Sequence, residues 1–242
     1  MKNKVWRLIN HNKLDPYYNM AVDESLLKLC ARGGRPALRF YRWRKNAVSI
    51  GYFQSAKDIE RLLNLPDTSV IVRRPTGGGA VIHGEDITFS IIFPEKLIQG
   101  TVEQGYRAIN RAITQAIEQG NRFSLVHAQN SVSPKQQATR LCFASPTRFD
   151  ILWDNRKVGG SAQRRRDGVI LHQSSFYYKK CFSSIEPDNK GSRQYYVQAI
   201  QKAISSLFSV SFYPTGLTHD EQQAAHLFHT QRYSTKEWNY RR

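Results

Sequence analysis

The chain predicts an α+β fold in which mixed and antiparallel sheets are flanked by helices. Three observations lead there. Short stretches alternate between apolar and polar residues, the two-residue period of a strand. Between them lie longer stretches with apolar residues three and four apart, the period of a helix with one buried face. The two kinds do not follow one another in strict alternation, which argues against a doubly wound parallel sheet. The 242 residues, 40% of them hydrophobic and 12% aromatic, suffice for a substantial core. They are read here as a single domain over 1–242 with a helical C-terminal segment at about 192–242.

In order, residues 4–10 alternate weakly and suit a first strand. Asp15 followed by Pro16 marks a helix start. Tyr18, Val22, Leu26 and Leu29 then share a face, and Gly33-Gly34 ends the helix. Residues 37–43 and 47–53 read as strands, and 55–64 as a short helix capped by Ser55. A strand at 69–73 runs into Pro75-Thr76-Gly77-Gly78-Gly79. In 87–93, Ile87, Phe89, Ile91 and Phe93 alternate with Thr88 and Ser90, the pattern of a half-buried strand. A helix from near Thr101 carries Val102, Tyr106, Ile109, Ile113 and Ile117 and stops at Gly120. Residues 128–140 are polar loop, and strands are expected at 148–153, 156–163 and 168–177. Ser192 caps a third long helix carrying Tyr196, Ile200, Ile204 and Leu207, and the last 25 residues have helical character.

Lys plus Arg number 36 against 19 Asp plus Glu, a net charge of +17. Such an excess attracts polyanions, acidic proteins or charged small substrates, and charge alone does not choose among them. The three cysteines, Cys30, Cys142 and Cys181, are odd in number and lack metal-ligand spacing, so neither a disulfide framework nor a metal site is expected. No stretch approaches the roughly 20 apolar residues of a membrane helix. The opening MKNKVWRLIN has no signal-peptide core. A cytoplasmic location is expected.

Three segments carry chemistry. In Arg73-Arg74-Pro75-Thr76-Gly77-Gly78-Gly79-Ala80-Val81-Ile82-His83, successive glycines let the backbone approach a ligand closely. Their N–H groups suit a phosphate, a carboxylate or a carbonyl oxygen, and the arginines add forked donors. The plain alternative is a tight turn between strands. In Arg156-Lys157-Val158-Gly159-Gly160-Ser161-Ala162-Gln163, a lysine heads a strand of small residues. It could reach a cleft, or simply lie exposed. In Leu141-Cys142-Phe143-Ala144-Ser145-Pro146, a thiolate would be a nucleophile, and the alternative is a small packing residue.

Taken in this order, together with Pro16 to Glu24, Leu38 to Trp43, Ser49 to Gln54, Gly168 to Ser175 and Arg232-Tyr233…Trp238-Asn239, these residues resemble the lipoate-protein ligase A and octanoyltransferase family. The resemblance covers nearly the whole chain and implies a biotin/lipoate protein ligase-like catalytic domain. It implies a cleft for a medium-length acyl chain, lined by the glycine loop and the Lys157 segment. Lys157 would touch the reacting carbonyl or activated group, with Gly160, Ser161 and Ala162 beside it. Arg73, Arg74, Gly77, Gly78, Gly79 and His83 would shape the acyl and phosphate side.

Two chemistries occur in the family. Ligases activate free lipoate with ATP and Mg. Octanoyltransferases take octanoate from acyl carrier protein with no cofactor, and one branch does so through a cysteine whose motif resembles Cys142 to Pro146. Against that, Gly79 stands where those transferases often carry arginine, and Gly84 follows His83 where ligases commonly carry aspartate. The cysteine transferase is the first reading and the ATP-dependent ligase the second. A biotin ligase, and a non-catalytic or nucleic-acid-binding protein on the same fold, are further alternatives. The acceptor would be a lysine of an acidic lipoyl domain or a glycine-cleavage H-type protein. Arg164-Arg165-Arg166 and Lys179-Lys180 are candidates for steering such partners. Neither a membrane nor a nucleic acid is an expected partner.

Overall fold

The computed structural model describes residues 4–44, 46–98, 100–117, 123–125, 149–180 and 192–241. Strand β1 (Lys4–Leu14) leads directly into helix α1 (Pro16–Ala31), whose start is fixed by the Asp15 carboxylate accepting from the Tyr17 and Tyr18 backbone N–H groups at 2.9 and 3.1 Å. Gly33 closes α1 in a left-handed conformation, with Gly34 N donating to Leu29 O. Strands β2 (Ala37–Trp43) and β3 (Ala47–Ile50) follow, then helix α2 (Ala56–Leu63), with Ser55 as its cap. Strand β3 ends at Ile50, short of the expected residue 53, because the chain at Gly51 turns onto the glycine loop. Strands β4 (Val70–Arg73), β5 (Val81–Ile82) and β6 (Ile87–Pro94) lead to helix α3 (Val102–Ile117). The expected stop at Gly120 and the polar loop at 128–140 lie outside the described residues.

Strands β7 (Phe123–Leu125), β8 (Ile151–Trp153), β9 (Arg156–Arg166) and β10 (Val169–Phe176) form antiparallel pairs in sequence order. Helix α4 (Arg193–Phe208) starts on the Ser192 cap. The C-terminal segment is not wholly helical: β11 (Val210–Pro214) precedes helix α5 (His219–Phe228), a π-helical turn at His229–Tyr233 and the four-residue helix α6 (Lys236–Asn239). Strand β11 exists because it finds β1 as a parallel neighbour, a pairing far apart in sequence.

Among the described residues, eight strands form one sheet in the order β11-β1-β2-β6-β10-β9-β8-β7, and β4-β3-β5 form a second, smaller one. The large sheet is parallel at β11-β1-β2 and antiparallel from β2 onward. One face carries Phe40, Phe89, Ile91 and Ile170 against Ile109 and Ile113 of α3 and Ile200 and Ile204 of α4. The other carries Ile9, Ile92 and Leu171 against Val22 and Leu26 of α1 and Ala225 of α5. The expectation that β6 is half-buried is corrected. Thr88 and Ser90 are as buried as their apolar neighbours, because each donates to a buried carboxylate, Thr88 to Asp86 and Ser90 to Asp23. Among the described residues no helix is long and apolar enough to cross a membrane.

Candidate active site

The glycine loop is held from inside by the arginine that starts it. Arg74 Nη2 donates to the carbonyls of Gly77 and Gly79 at 3.0 and 2.8 Å, while Nη1 donates to the Ser49 carbonyl and hydroxyl at 2.8 and 2.7 Å. Gly78 takes φ +86°, a conformation open to glycine. The loop also touches the end of β3. A Cβ placed on Gly51 would sit 2.0 Å from the Gly78 carbonyl oxygen. Thr76 Oγ1 donates to Gln173 Oε1 of β10 at 2.6 Å, and Gln173 Nε2 donates to Asp23 of α1 at 2.7 Å. Asp23 also accepts from Arg39, Ser90 and Tyr41 at 2.6, 2.8 and 3.1 Å. The first-helix acid thus anchors the loop through one intervening amide.

His83 forms a second clamp. Its Nδ1 lies 2.9 Å from Asp86 Oδ2 and its Nε2 lies 2.7 Å from Ser49 Oγ, with the ring stacked on Trp43 at a centroid distance of 3.9 Å. Trp43 Nε1 in turn donates to Thr88 Oγ1. Burial alone would raise the Asp86 carboxyl, but the charge and hydrogen bond of His83, with hydrogen bonds from Thr88 and Ser175, hold it well below the usual carboxylate range. The order Asp86, His83, Ser49 is that of a nucleophile triad. Here, however, the Ser49 oxygen also accepts from Arg74 and the residue is wholly shielded, so the arrangement pins β3, β5 and the loop together.

Between these clamps and β9–β10 lies a narrow cleft of about 40 Å³. Arg74, Gly78, His83, Gly160, Ser161 and Ala162 all line it, so six of the residues expected from sequence come together. Tyr41, Trp43, Ser49, Val81, Thr88, Gln173, Ser174 and Ser175 complete the walls. Gly77 and Gly79 contribute carbonyls to Arg74 and are not part of the lining. Lys157 lies on the same strand as Gly160 to Ala162, with its side chain 3% exposed and Nζ 2.6 Å from Asp150 Oδ2. Below the cleft, His172 is enclosed by Gln163 and Ser174, each at 2.9 Å, and burial pushes it down to about 3, so it stays neutral.

Arg73 is placed differently from its neighbour. Side chains alternate along a strand, and its guanidinium turns away from the cleft onto the carbonyls of Gly51, Tyr52, Gln54, Trp238 and Asn239. The structure therefore gives Arg73 a scaffold position. The basic run on β9 is partly tied down as well. Arg164 donates to Pro75 O, and Arg165 pairs with Glu95. Cys142 and Cys181 lie outside the described residues. Cys30 is buried, and burial together with the Glu221 charge raises its thiol to about 11, the character of an inert packing residue.

Sequence reasoning missed Trp43, Ser49, Asp86 and Asp23 as parts of the site. Asp86 carries a usable signal, three residues after His83 and two before Thr88. Asp23 does not, because its partners lie up to 150 residues away.

Residues 15–225 match the family model of the lipoyl protein ligase A/B catalytic domain. Octanoyltransferase LipM of Staphylococcus aureus is 36% identical over 182 residues, covering 71% of this chain, and the chain spans 65% of that protein's length. Octanoyltransferase LipM of Brevibacillus brevis is 30% identical over 273 residues, covering 98% of this chain and 99% of its own. Among solved structures, a lipoate-protein ligase A bound with ATP superposes with TM-score 0.73 at 22% identity, covering 99% of both chains. A bi-partite lipoate protein ligase from Thermoplasma acidophilum, described together with its E2 lipoyl domain, gives 0.70 at 20% identity over 98% of this chain and 96% of its own. At these identities the structures share the fold, an α+β sheet flanked by helices. The chain belongs to the lipoyl protein ligase A/B catalytic domain family.

Proposed function

We propose that the protein is an octanoyltransferase that moves an octanoyl group from acyl carrier protein to a lysine of a lipoyl domain or H-type protein, through a thioester on Cys142. The near-full-length likeness to the Brevibacillus brevis octanoyltransferase carries this reading. The cleft supports it. Its lining is mainly apolar, with aromatic rings and small strand residues at Gly160 to Ala162, the character that suits an acyl chain. The buried Lys157–Asp150 pair stands at the head of that strand.

In this reading the Cys142 thiolate attacks the carbonyl of the carrier thioester. The carrier thiol leaves with a proton, and the octanoyl group stays on sulfur. An uncharged lysine amine of the acceptor then attacks the new thioester, forming an amide and returning the cysteine thiol. Both steps start from a thioester, so neither needs ATP. In this reading the Lys157 ammonium, held by Asp150, favours the Cys142 thiolate and serves the departing thiol as an acid. The tetrahedral oxyanion requires hydrogen-bond donors beside it, a role that backbone N–H groups fill in this reading.

Intact-mass spectrometry after mixing with octanoyl-acyl carrier protein, without ATP, tests the proposal. An octanoyl adduct on the native protein is expected, absent from Cys142→Ala and dischargeable to a lipoyl-domain lysine. Transfer seen only with free lipoate, ATP and Mg would refute it in favour of a ligase.

A further inference from the structure

A cluster of aromatic rings and arginines stands outside the cleft, immediately behind the glycine loop. The Tyr52 ring packs against Phe53 at 5.0 Å and Trp238 at 6.0 Å, and the Arg241 guanidinium lies 3.9 Å from the Tyr52 centroid and 4.1 Å from that of Trp238. Arg164 approaches the same Tyr52 ring at 5.7 Å. Phe53 is 62% exposed. A lone exposed phenylalanine is ordinary. This one sits on a fixed backbone, because Arg73 holds the carbonyls of Tyr52 and Gln54 at 3.0 and 2.6 Å and Tyr52 N donates to Thr76 O at 2.8 Å. A rigid aromatic anchor beside Trp, Tyr and Arg has the composition of an interface hot spot and loses little entropy on contact.

We infer that this corner, with Phe53 as its apolar anchor and Arg241 as its charge, is the docking surface for an acidic protein domain that presents the acceptor lysine to the cleft. The inference rests on the transferase reading. Two observations choose the occupant. First, Gly51, next to Tyr52, is in backbone contact with Gly78 of the cleft wall, so the corner is one residue from the site. A lysine side chain reaches only about 6 Å from its Cα, so its domain must rest against the rim. An acyl group on a long flexible arm imposes no such closeness on its carrier. Second, the corner is built from arginines on a chain of net charge +17, which complements an acidic surface and repels a basic one.

The test titrates a purified lipoyl domain into the full-length chain and into a Phe53→Ser/Arg241→Glu double variant. Arg35→Glu is the charge-matched control, since Arg35 lies over Tyr213 beside the β1–β11 edge. At least tenfold weaker binding is expected for the double variant, with a shallower salt dependence, against less than twofold for Arg35→Glu. Octanoyl loading of Cys142 from acyl carrier protein is followed in parallel and is expected to stay within twofold of the native rate. Unchanged lipoyl-domain binding would overturn the inference, as would equal weakening by Arg35→Glu. Loading that slows in step with binding would also overturn it, because the corner would then serve the donor. Absence of loading in the native protein would refute the transferase reading alone, since the binding titration does not depend on it.

Discussion

Gly51→Ala separates a glycine kept for space from glycines kept for conformation. The added methyl would lie 2.0 Å from Gly78 O, 3.0 Å from Gly78 C and 3.1 Å from Gly77 C. A carbon–oxygen contact settles near 3.3 Å, so β3 and the loop must part by about 1.3 Å. Little can give. The loop is tied by Arg74 to Gly77 and Gly79 and by Thr76 to Gln173, and the Gly51 carbonyl is held by Arg73. The cost belongs at the upper end for overpacking a well-packed site, about 3 kcal/mol. Gly77, which has nothing within 4 Å of a Cβ, should accept alanine with a change of about 0.5 kcal/mol either way. Gly78 has ordinary room but φ +86°, so alanine there should cost about 1–2 kcal/mol. Urea unfolding of the three variants at equal m-value reads the ranking, and octanoyl loading reads whether the cleft keeps its shape. A Gly51→Ala variant within about 0.5 kcal/mol of the native protein, or Gly77→Ala as the worst of the three, would refute the reasoning.

Asp23→Ala leaves the Arg39 guanidinium, fully shielded, without its carboxylate and should cost about 3–5 kcal/mol in chemical denaturation, with Asp23→Ala/Arg39→Met recovering part of it. His172 stays neutral in the fold down to about pH 3, while the unfolded chain takes up its proton near pH 6.5. Native stability should therefore fall as pH drops through that window, and His172→Gln should fall less steeply when unfolding is measured across it. Lys157→Met should lower single-turnover octanoyl loading by about a hundredfold or more, with the far-ultraviolet dichroism unchanged.

The first four helices, α1 to α4, are legible because their signals are local, whereas α5 and α6 show in the sequence only as a general helical character of the last 25 residues. Asp15, Ser55 and Ser192 stand within three residues of the N–H groups they cap, and each was read as a cap from sequence alone. The cleft was legible wherever a motif carries its own geometry, as at Arg74, Gly78, His83 and Gly160 to Ala162. What stayed hidden depends on distance or direction. Arg73 and Arg74 read alike, yet alternation on the strand sends one to the C-terminal helices and the other into the loop. Thr88 and Ser90 read as a solvent face because nothing nearby announces that buried carboxylates wait for them. Strands β7 and β11 are short edge segments whose alternation is too brief to register, and pairing with β8 and β1 creates them.

The two buried carboxylates also explain why the space between the sheets remains a cleft. Apolar side chains meeting there would close on each other, since burial of apolar area is favourable and cores pack without voids. Asp23 instead accepts from Arg39, Ser90, Tyr41 and Gln173, and Asp86 from His83, Thr88, Ser175 and the Gly84 N–H. Four donors match the lone-pair capacity of a carboxylate. Each acid therefore fixes its surroundings in one arrangement, and a half-satisfied version would be costly. Both networks reach the glycine loop, Asp23 through Gln173 and Thr76, Asp86 through His83, Ser49 and Arg74. The C-terminal turn locks the other side, with Asn239 accepting from Arg73 N, and with Arg232 and Tyr233 donating to Glu24 beside Asp23. The polar residues at the cleft thus do structural work that an apolar core could not, because they hold two sheets at a fixed separation and keep a narrow cleft between them.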